Sequence, residues 1–229
     1  MLGGALVAGA AAAGTAWAIF GRSSSVFGPS VWRGPKDRRE IALTFDDGPS
    51  PSTPELLRVF DEYKVRATFF QCGMHVRRFP QIARETVMAG HELGNHTDTH
   101  PKLLGKSKQF VFEEISRAQD AIIEVAGVAP RLFRAPYGAR WFGLRAAQRR
   151  LGLLHVHWTT IGQDWKLDGT QVVRRIMRQC ENGAIICLHD ARDRSVNPDI
   201  RNTIEAVRQI VPELLERGYA FRTVSELLR

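Results

Sequence analysis

The stretch IALTFDDGPS, residues 41–50, decides the fold. It begins with the aliphatic and aromatic residues of a buried strand, and the Asp-Gly and Gly-Pro pairs that follow are turn signals. Asp46 and Asp47 therefore stand where a buried strand ends. Two interpretations are open at this point. The carboxylates belong to a solvated turn, or one binds a metal ion while its neighbour handles a proton.

Short β-rich runs alternate with longer amphipathic stretches from residue 39 onward. The sequence predicts helices at 53–63, 110–127 and 200–218, and strands at 41–45, 67–71, 91–95, 131–134, 153–158, 184–188 and 219–223. Repeated βα units favour a parallel sheet, so we expect an α/β fold, a distorted (β/α) barrel of about seven parallel strands. The 229 residues, 44% of them hydrophobic, suit a single domain. Chemistry in such barrels gathers at the carboxyl ends of the strands.

The N-terminal region differs in composition from the rest. Residues 1–21 carry no charged side chain and are long enough to cross a bilayer core, which predicts a membrane anchor or a cleaved signal segment. Residues 22–38 are rich in Gly, Ser and Pro and are predicted to be a flexible linker, leaving 39–229 as the folded domain. We expect a membrane-anchored or secreted protein whose domain lies outside the cytoplasm, although the positive charges follow the apolar segment instead of preceding it.

The chain is basic, with 32 Lys and Arg against 24 Asp and Glu and a net charge of +8. Arginines concentrate at 145–150 and 174–178, where they either cover solvated helix faces or attract an anionic polymer or membrane surface. No basic run is interleaved with stacking aromatics, so we expect no nucleic-acid partner. The three cysteines, Cys72, Cys180 and Cys187, form no zinc pattern. We expect buried thiols, with a Cys180–Cys187 bridge as the alternative.

Two histidines follow the third predicted strand in GHELGNHTDTHP, residues 90–101. His96 and His100 are four residues apart, so on a helical turn both imidazoles would project from one face and could bind one cation. With Asp47 they would form a three-ligand site that leaves positions open for water and substrate. Asp46 would then be the base. A non-haem iron oxygenase uses the same ligand types and is an alternative.

Later strands are also followed by residues that hydrolysis can use. FRAPYGAR (133–140), GQDWK (162–166) and CLHDA (187–191) stand at predicted strand ends. Arg134 could hold a carboxylate in its ionised form, and His189 can donate a proton near neutral pH. Taken singly, each residue has a structural explanation: Arg134 in a surface salt bridge, Trp165 as a core aromatic and His189 at a helix start.

Five motifs in this order resemble one family, the polysaccharide deacetylases or NodB-like carbohydrate esterases. They are TFDDGP (44–49), HTDTH (96–100), RAPYG (134–138), DW (164–165) and LHD (188–190), and the resemblance extends over residues 39–228. It implies a metal-dependent hydrolase that removes N-acetyl groups from N-acetylglucosamine-containing polysaccharide, such as peptidoglycan or a chitin-like oligomer, and releases acetate. The implied partner is that acetylated polysaccharide or oligosaccharide, with membrane association through the N-terminal segment.

The resemblance also implies a role for each matching residue. The metal ligands are Asp47, His96 and His100, the base is Asp46 tethered by Arg134, and the acid is His189 oriented by Asp164. The implied cofactor is a divalent metal, Zn²⁺ first, with Co²⁺, Ni²⁺ or Mn²⁺ as alternatives.

Three further residues are expected to contact substrate. The backbone N–H of Tyr137 would help to bind the oxyanion, and Trp165 would form one wall of the pocket for the acetyl methyl group. Cys187 stands where relatives often have leucine, so we expect a slightly looser methyl pocket. Two other functions stay open: a noncatalytic glycan-binding domain that retains the metal, and a deacylase of a lipid-linked sugar.

Overall fold

The computed structural model describes residues 12–229, which form a curled sheet of parallel strands surrounded by helices. Its strands are β1 (Ser30–Val31), β2 (Glu40–Asp46), β3 (Thr68–Gln71), β4 (Glu92–Asn95), β5 (Leu132–Phe133), β6 (Leu154–Val156), β7 (Thr160–Ile161), β8 (Ile185–His189) and β9 (Ala220–Phe221). Its helices are α1 (residues 12–20), α2 (Thr53–Tyr63), α3 (Gly73–Arg78), α4 (Pro80–Met88), α5 (Lys108–Ala126), α6 (Leu144–Leu151), α7 (Gly169–Gln179), α8 (Arg201–Glu216) and α9 (Val224–Leu227), with a 3₁₀ turn at Pro136–Gly138.

The strand order is β1-β6-β5-β4-β3-β2-β8-β7, and β9 also pairs with β2. All of these ladders are parallel, as the βα alternation predicts. The seven strands predicted from the sequence are confirmed, with shifts of one or two residues at their ends. The sheet curls into a half-barrel, and one antiparallel bridge, Arg33 to Ala184, joins the chain after β1 to the start of β8.

Strand β2 is central, and its two faces serve different purposes. Ile41, Leu43 and Phe45 are fully buried against the surrounding helices, and Phe45 stacks on the Phe69 ring with 5.1 Å between centroids. The alternate residues face the inside of the curled sheet, where Ala42 packs with residues of β3, β5, β6, β8 and α9. Because side chains alternate along a strand, Asp46 continues this inward face at the carboxyl end.

Two strands were not predicted. One of them, β7, is only two residues long. The other, β1, lies in residues 22–38, and pairs with β6 through Ser30 and Val31. The prediction of a flexible linker there was wrong, because this Gly- and Ser-rich segment packs on the domain: Phe27 is buried, and Gln148 donates a hydrogen bond to the Pro29 carbonyl.

The predicted anchor or signal, residues 1–21, lies partly outside the described residues. Residues 12–20 of it are helical, and Ile19 packs on Phe27 and Ala139. Within 12–229, no helix combines the length and the apolar character needed to cross a membrane. All three cysteines are free thiols, so the alternative of a Cys180–Cys187 bridge was wrong. Cys72 and Cys187 are buried as expected, whereas Cys180 is half-buried.

Candidate active site

The carboxyl ends of β2, β4, β5 and β8 meet at one edge of the sheet and surround a cavity. The register places Asp46 beside His189 across the β2–β8 ladder, as predicted for residues at strand ends. The cavity is lined by Asp46, Asp47, His96, His100, Tyr137, Trp158, Ile161, Trp165, Cys187, His189, Arg192 and Asp193. All ten predicted site residues either line this cavity or contact a residue that does.

Asp47, His96 and His100 converge on one point. Asp47 Oδ1 lies 3.3 Å from His96 Nε2 and 3.1 Å from His100 Nε2, and the three ligand atoms all lie within 4.8 Å of one another. Burial alone would raise the pKa of Asp47, but contacts with His100 and His96 hold it well below its usual range. A carboxylate ringed by two imidazole nitrogens is a donor set that divalent cations accept.

The other ring nitrogen of each histidine lies close to an oxygen atom. His96 Nδ1 donates to the Arg134 carbonyl over 2.8 Å, and His100 Nδ1 lies 2.9 Å from Asp193 Oδ1. Metal-binding histidines are ordinarily held this way, because the second contact fixes the tautomer and the ring orientation. Both Nε2 atoms are thereby left to face the carboxylate, so these residues fit a bound divalent metal ion.

The loop that holds the two histidines is not a helical turn, so that prediction was wrong. Thr97 and His100 have positive φ angles of 67° and 56°, which a right-handed helix excludes. Asn95 Oδ1 accepts a hydrogen bond from Thr97 N, and Glu114 of α5 accepts one from Thr99 N. These side-chain contacts shape a turn that brings the rings together, with centroids 4.9 Å apart.

Asp46 and Arg134 form a buried ion pair. Arg134 is fully buried, and its Nη1 donates to Asp46 Oδ1 over 2.7 Å. The guanidinium also donates to Thr44 Oγ1 and to the Val156 carbonyl, and it lies over the Phe70 ring at 4.1 Å. Its position is therefore fixed on several sides. The other oxygen, Asp46 Oδ2, lies 4.0 Å from His96 Nε2 and faces the metal-ligand set.

His189 is paired with Asp164 on the opposite wall. Its Nδ1 donates to Asp164 Oδ1 over 2.9 Å, and its backbone N–H donates to Asp164 Oδ2. Thr203 Oγ1 also donates to Asp164 Oδ2, over 2.6 Å. Burial alone would lower the pKa of His189, but the Asp164 carboxylate outweighs it and raises the pKa to about 9.

The remaining predicted residues border the open side of the cavity. Trp165 is 47% exposed and meets the His189 ring edge-on at 5.1 Å. Tyr137 has a positive φ of 58°, and its hydroxyl donates to Asp193 Oδ1 over 2.8 Å. The Cys187 Sγ atom lies 3.5 Å from Asp46 Oδ2. Burial raises the pKa of this thiol well above its usual range, so it lines the cavity as a neutral group.

Comparisons with known proteins identify the family of the chain. The sequence profile described as polysaccharide deacetylase matches residues 33–156, which is more than half of the chain. The chain is 35% identical to the chitooligosaccharide deacetylase of Azorhizobium caulinodans over 196 residues, covering 82% of this chain and 93% of that protein. This polypeptide belongs to the polysaccharide deacetylase family.

Two other relatives support the same assignment. The peptidoglycan-N-acetylglucosamine deacetylase of Bacillus cereus is 35% identical over 204 residues, covering 87% of this deacetylase and 92% of its relative. A family 4 carbohydrate esterase from Streptomyces lividans, solved in complex with acetate, superposes with a TM-score of 0.73 at 35% identity. That superposition covers 80% of this deacetylase and 91% of the esterase.

Asp193 is a site residue of this deacetylase that was not predicted from the sequence. Its side chain contacts both His100 and Tyr137, and its backbone N–H donates to Asp47 Oδ2 over 2.9 Å. It lies in the loop after β8, in the irregular sequence ARDRSVNPD, residues 191–199. No periodicity or ligand spacing marks it. The nearest available signal was its position three residues after the LHD motif.

Proposed function

We propose that this polysaccharide deacetylase is a metal-dependent hydrolase that removes N-acetyl groups from N-acetylglucosamine-containing polysaccharide and releases acetate. One observation carries the proposal. A carboxylate tethered by Arg134, an imidazole paired with Asp164 and a three-residue ligand set line the same cavity. The names of the relatives, a chitooligosaccharide deacetylase and a peptidoglycan-N-acetylglucosamine deacetylase, support the substrate class.

Asp46 is the proposed base. Its Oδ1 accepts a charge-assisted hydrogen bond from Arg134 Nη1 over 2.7 Å. Its Oδ2 remains available to accept a proton from the water that attacks the acetamide carbonyl. Because Arg134 is fixed by several contacts, the base keeps its orientation while the proton moves.

His189 is the proposed acid. With a pKa raised to about 9 by Asp164, the ring is protonated at neutral pH. Nδ1 is occupied by Asp164, so Nε2 is the atom that delivers the proton to the departing nitrogen. As the amide C–N bond breaks, the oxygen of water stays with acetate, and the sugar keeps a free amine.

Asp47, His96 and His100 are the proposed ligands of the divalent cation. Two imidazoles and one carboxylate suit Zn²⁺ first, with Co²⁺, Ni²⁺ or Mn²⁺ as alternatives. When bound, the cation supplies Lewis acidity toward the acetamide carbonyl. The backbone N–H of Tyr137 is proposed to stabilise the developing oxyanion, and loss of one such donor raises the barrier by about 2.7 to 4 kcal/mol. Trp165 and Cys187 are proposed to border the acetyl methyl group.

Envelope glycan is the substrate that we favour, with the domain working outside the cytoplasm. Two sequence features support this choice: residues 1–21 carry no charged side chain, and the chain has a net charge of +8. An uncharged segment of this length suits export or anchoring, and a basic protein is attracted to anionic envelope polymers.

Acetate release tests the proposal. The zinc-loaded full chain is incubated with N-acetylglucosamine oligomers and with peptidoglycan, alongside Asp46→Asn and a matched Asp61→Asn control. Asp61 is an exposed residue of α2 that pairs with Lys64. We expect acetate from the wild type and the control, and none from Asp46→Asn. Glycan binding without acetate release would overturn the hydrolase and favour a binding domain.

A further inference from the structure

The segment before β1 is held firmly on the domain by Arg140. This arginine is 1% exposed, and burial lowers its pKa to about 10. Its guanidinium donates to the carbonyls of Ile19, Gly21 and Ser24, where α1 ends. Arg145 Nη2 donates to the Val26 carbonyl over 3.3 Å. The segment therefore has a defined surface.

That surface is unusually apolar. Trp17, Phe20, Val26 and Phe142 are 51%, 48%, 52% and 56% exposed, and we call these four residues the N-terminal apolar surface. Val26 and Phe142 border one groove with buried Phe27, whose ring meets Phe142 edge-on at 5.1 Å, and Trp17 and Phe20 lie on α1, whose Ile19 packs on Phe27. Exposed apolar residues gathered in one place mark a docking site more often than residues scattered singly.

The groove beside Phe142 carries only positive charge. Val26, Phe27 and Phe142 line it together with Lys108, Arg145 and Arg149, and among the residues that the structure describes no acidic one contributes. Within residues 12–229, neither Lys108 nor Arg149 has an ion-pair partner. Aromatic side chains flanked by unpaired basic residues complement the interface of an anionic bilayer, where Trp settles at headgroup depth and Lys and Arg meet the phosphates.

The chain that continues from this surface has a matching character. Residues 1–11, MLGGALVAGAA, contain no charged side chain. A second copy of this chain is a poorer occupant, because a self-complementary contact through this groove would bring the basic residues of one copy against those of the other. We propose that the N-terminal apolar surface docks on an anionic lipid bilayer, with Phe142 at the interface and Lys108 and Arg149 contacting the headgroups.

Docking would place the catalytic cavity near the bilayer. The loop from Arg134 to Phe142 carries Tyr137 at the cavity and Phe142 on the N-terminal apolar surface. This inference adds a membrane contact made by the domain itself, and it does not depend on which glycan is hydrolysed.

A fluorophore on the surface tests the contact directly. The full chain with Phe142→Cys carries an environment-sensitive label and is mixed with vesicles of phosphatidylcholine alone or with 30% phosphatidylglycerol. The wild-type chain is treated with the same label to measure reaction at Cys72, Cys180 and Cys187.

The control is Met88→Cys, since Met88 is 84% exposed at the end of α4. Arg84 of that helix bonds to Val125, near the end of α5 that lies away from Lys108. On the anionic vesicles, we expect the emission of the label at position 142 to shift to the blue and to be quenched by nitroxide lipid. The label at position 88 should show neither change.

Replacing two basic residues of the groove provides a second test of the proposal. Lys108→Gln with Arg149→Gln should weaken binding to the phosphatidylglycerol vesicles roughly 10- to 30-fold. The matched change Arg174→Gln with Arg178→Gln, on exposed positions of α7, should alter binding less than twofold. If the protein sediments with the anionic vesicles while the emission of the label at position 142 stays unchanged, the proposal is overturned. Equal affinity for both vesicle types would also overturn it. Dimerisation through this surface without vesicles would assign it to a second copy instead.

Discussion

Asp193 Oδ1 lies 2.9 Å from His100 Nδ1, and the backbone N–H of Asp193 donates to Asp47 Oδ2 over 2.9 Å. Asp193, whose side chain is 60% exposed, therefore supports two of the three residues assigned to the metal ion. The same carboxylate accepts from the Tyr137 hydroxyl. The loop after β8 thus joins the ligand set to the turn that carries Tyr137.

Removing that carboxylate should loosen the ligand set. We expect Asp193→Ala to lower zinc affinity about 10- to 100-fold, as is typical when a histidine ligand loses its outer partner. Competition with a chromogenic chelator measures the affinity without reference to turnover. Asp199→Ala is the control, because Asp199 lies in the same loop but pairs with Arg201. Equal affinities for both variants would show that Asp193 does not orient His100.

The pairing of Asp164 with His189 predicts a pH effect. His189 must be protonated to act as the acid, so activity is present below its pKa and is lost as the pH rises through about 9. Asp164→Asn removes the charge that raises this pKa most, while burial continues to lower it and Asp47 and Asp46 continue to raise it. We therefore expect the alkaline limb of kcat/KM to move from about pH 9 towards the ordinary value for histidine.

The test is a pH profile of kcat/KM on a soluble N-acetylglucosamine oligomer for the wild type and Asp164→Asn. Asp168→Asn is a useful comparison, because Asp168 caps α7 through Gln171 N and lies outside the cavity. An alkaline limb that stays near pH 9 in Asp164→Asn would contradict the assignment of His189 as the acid.

Arg134 should contribute to folding as well as to catalysis. Its fully buried guanidinium neutralises the 3% exposed Asp46, so Arg134→Ala leaves a carboxylate buried without its cation. Breaking a buried pair on one side typically costs about 3 to 5 kcal/mol of unfolding free energy.

Urea denaturation of the metal-free protein measures this cost. The exposed Arg174→Ala in α7 should change stability by no more than about 0.5 kcal/mol. If Arg134→Ala lowers the free energy of unfolding by less than about 1 kcal/mol, water or another cation must reach Asp46, and the pair is not the buried contact that the structure describes.

The strands and the site could be predicted for one physical reason. Runs such as residues 41–45 and 184–188 are apolar on both faces because parallel strands are covered on both sides. Once those strands are placed, their carboxyl ends must meet at one edge. Asp46 and His189 are then neighbours by register. The same reasoning, however, says nothing about loops that return to the edge from elsewhere.

Backbone conformation was the part that the pattern did not reveal. Asp47, His100 and Tyr137 have positive φ angles of 75°, 56° and 58°, and such conformations cost about 1 to 3 kcal/mol each. They are imposed by tertiary contacts, such as the bond from His75 Nδ1 to the Asp47 carbonyl. Local propensity favours other conformations for these residues, so a prediction from spacing alone placed His96 and His100 on a helical turn.

Cys187 provides the last prediction, which concerns the acyl group. Its Sγ atom lines the cavity 3.5 Å from Asp46 Oδ2, in the wall proposed to border the acetyl methyl group. Leucine would add two heavy atoms there, and cysteine to alanine would remove one. A difference of one methylene in such a pocket changes the ratio of kcat/KM between two substrates by about 10- to 200-fold.

We expect Cys187→Leu to reduce kcat/KM for N-propionyl relative to N-acetyl oligomers by roughly 10-fold, and Cys187→Ala to raise that ratio. The half-buried Cys180→Ala is the control, and an equal ratio in all three variants would place the acyl group elsewhere in the cavity.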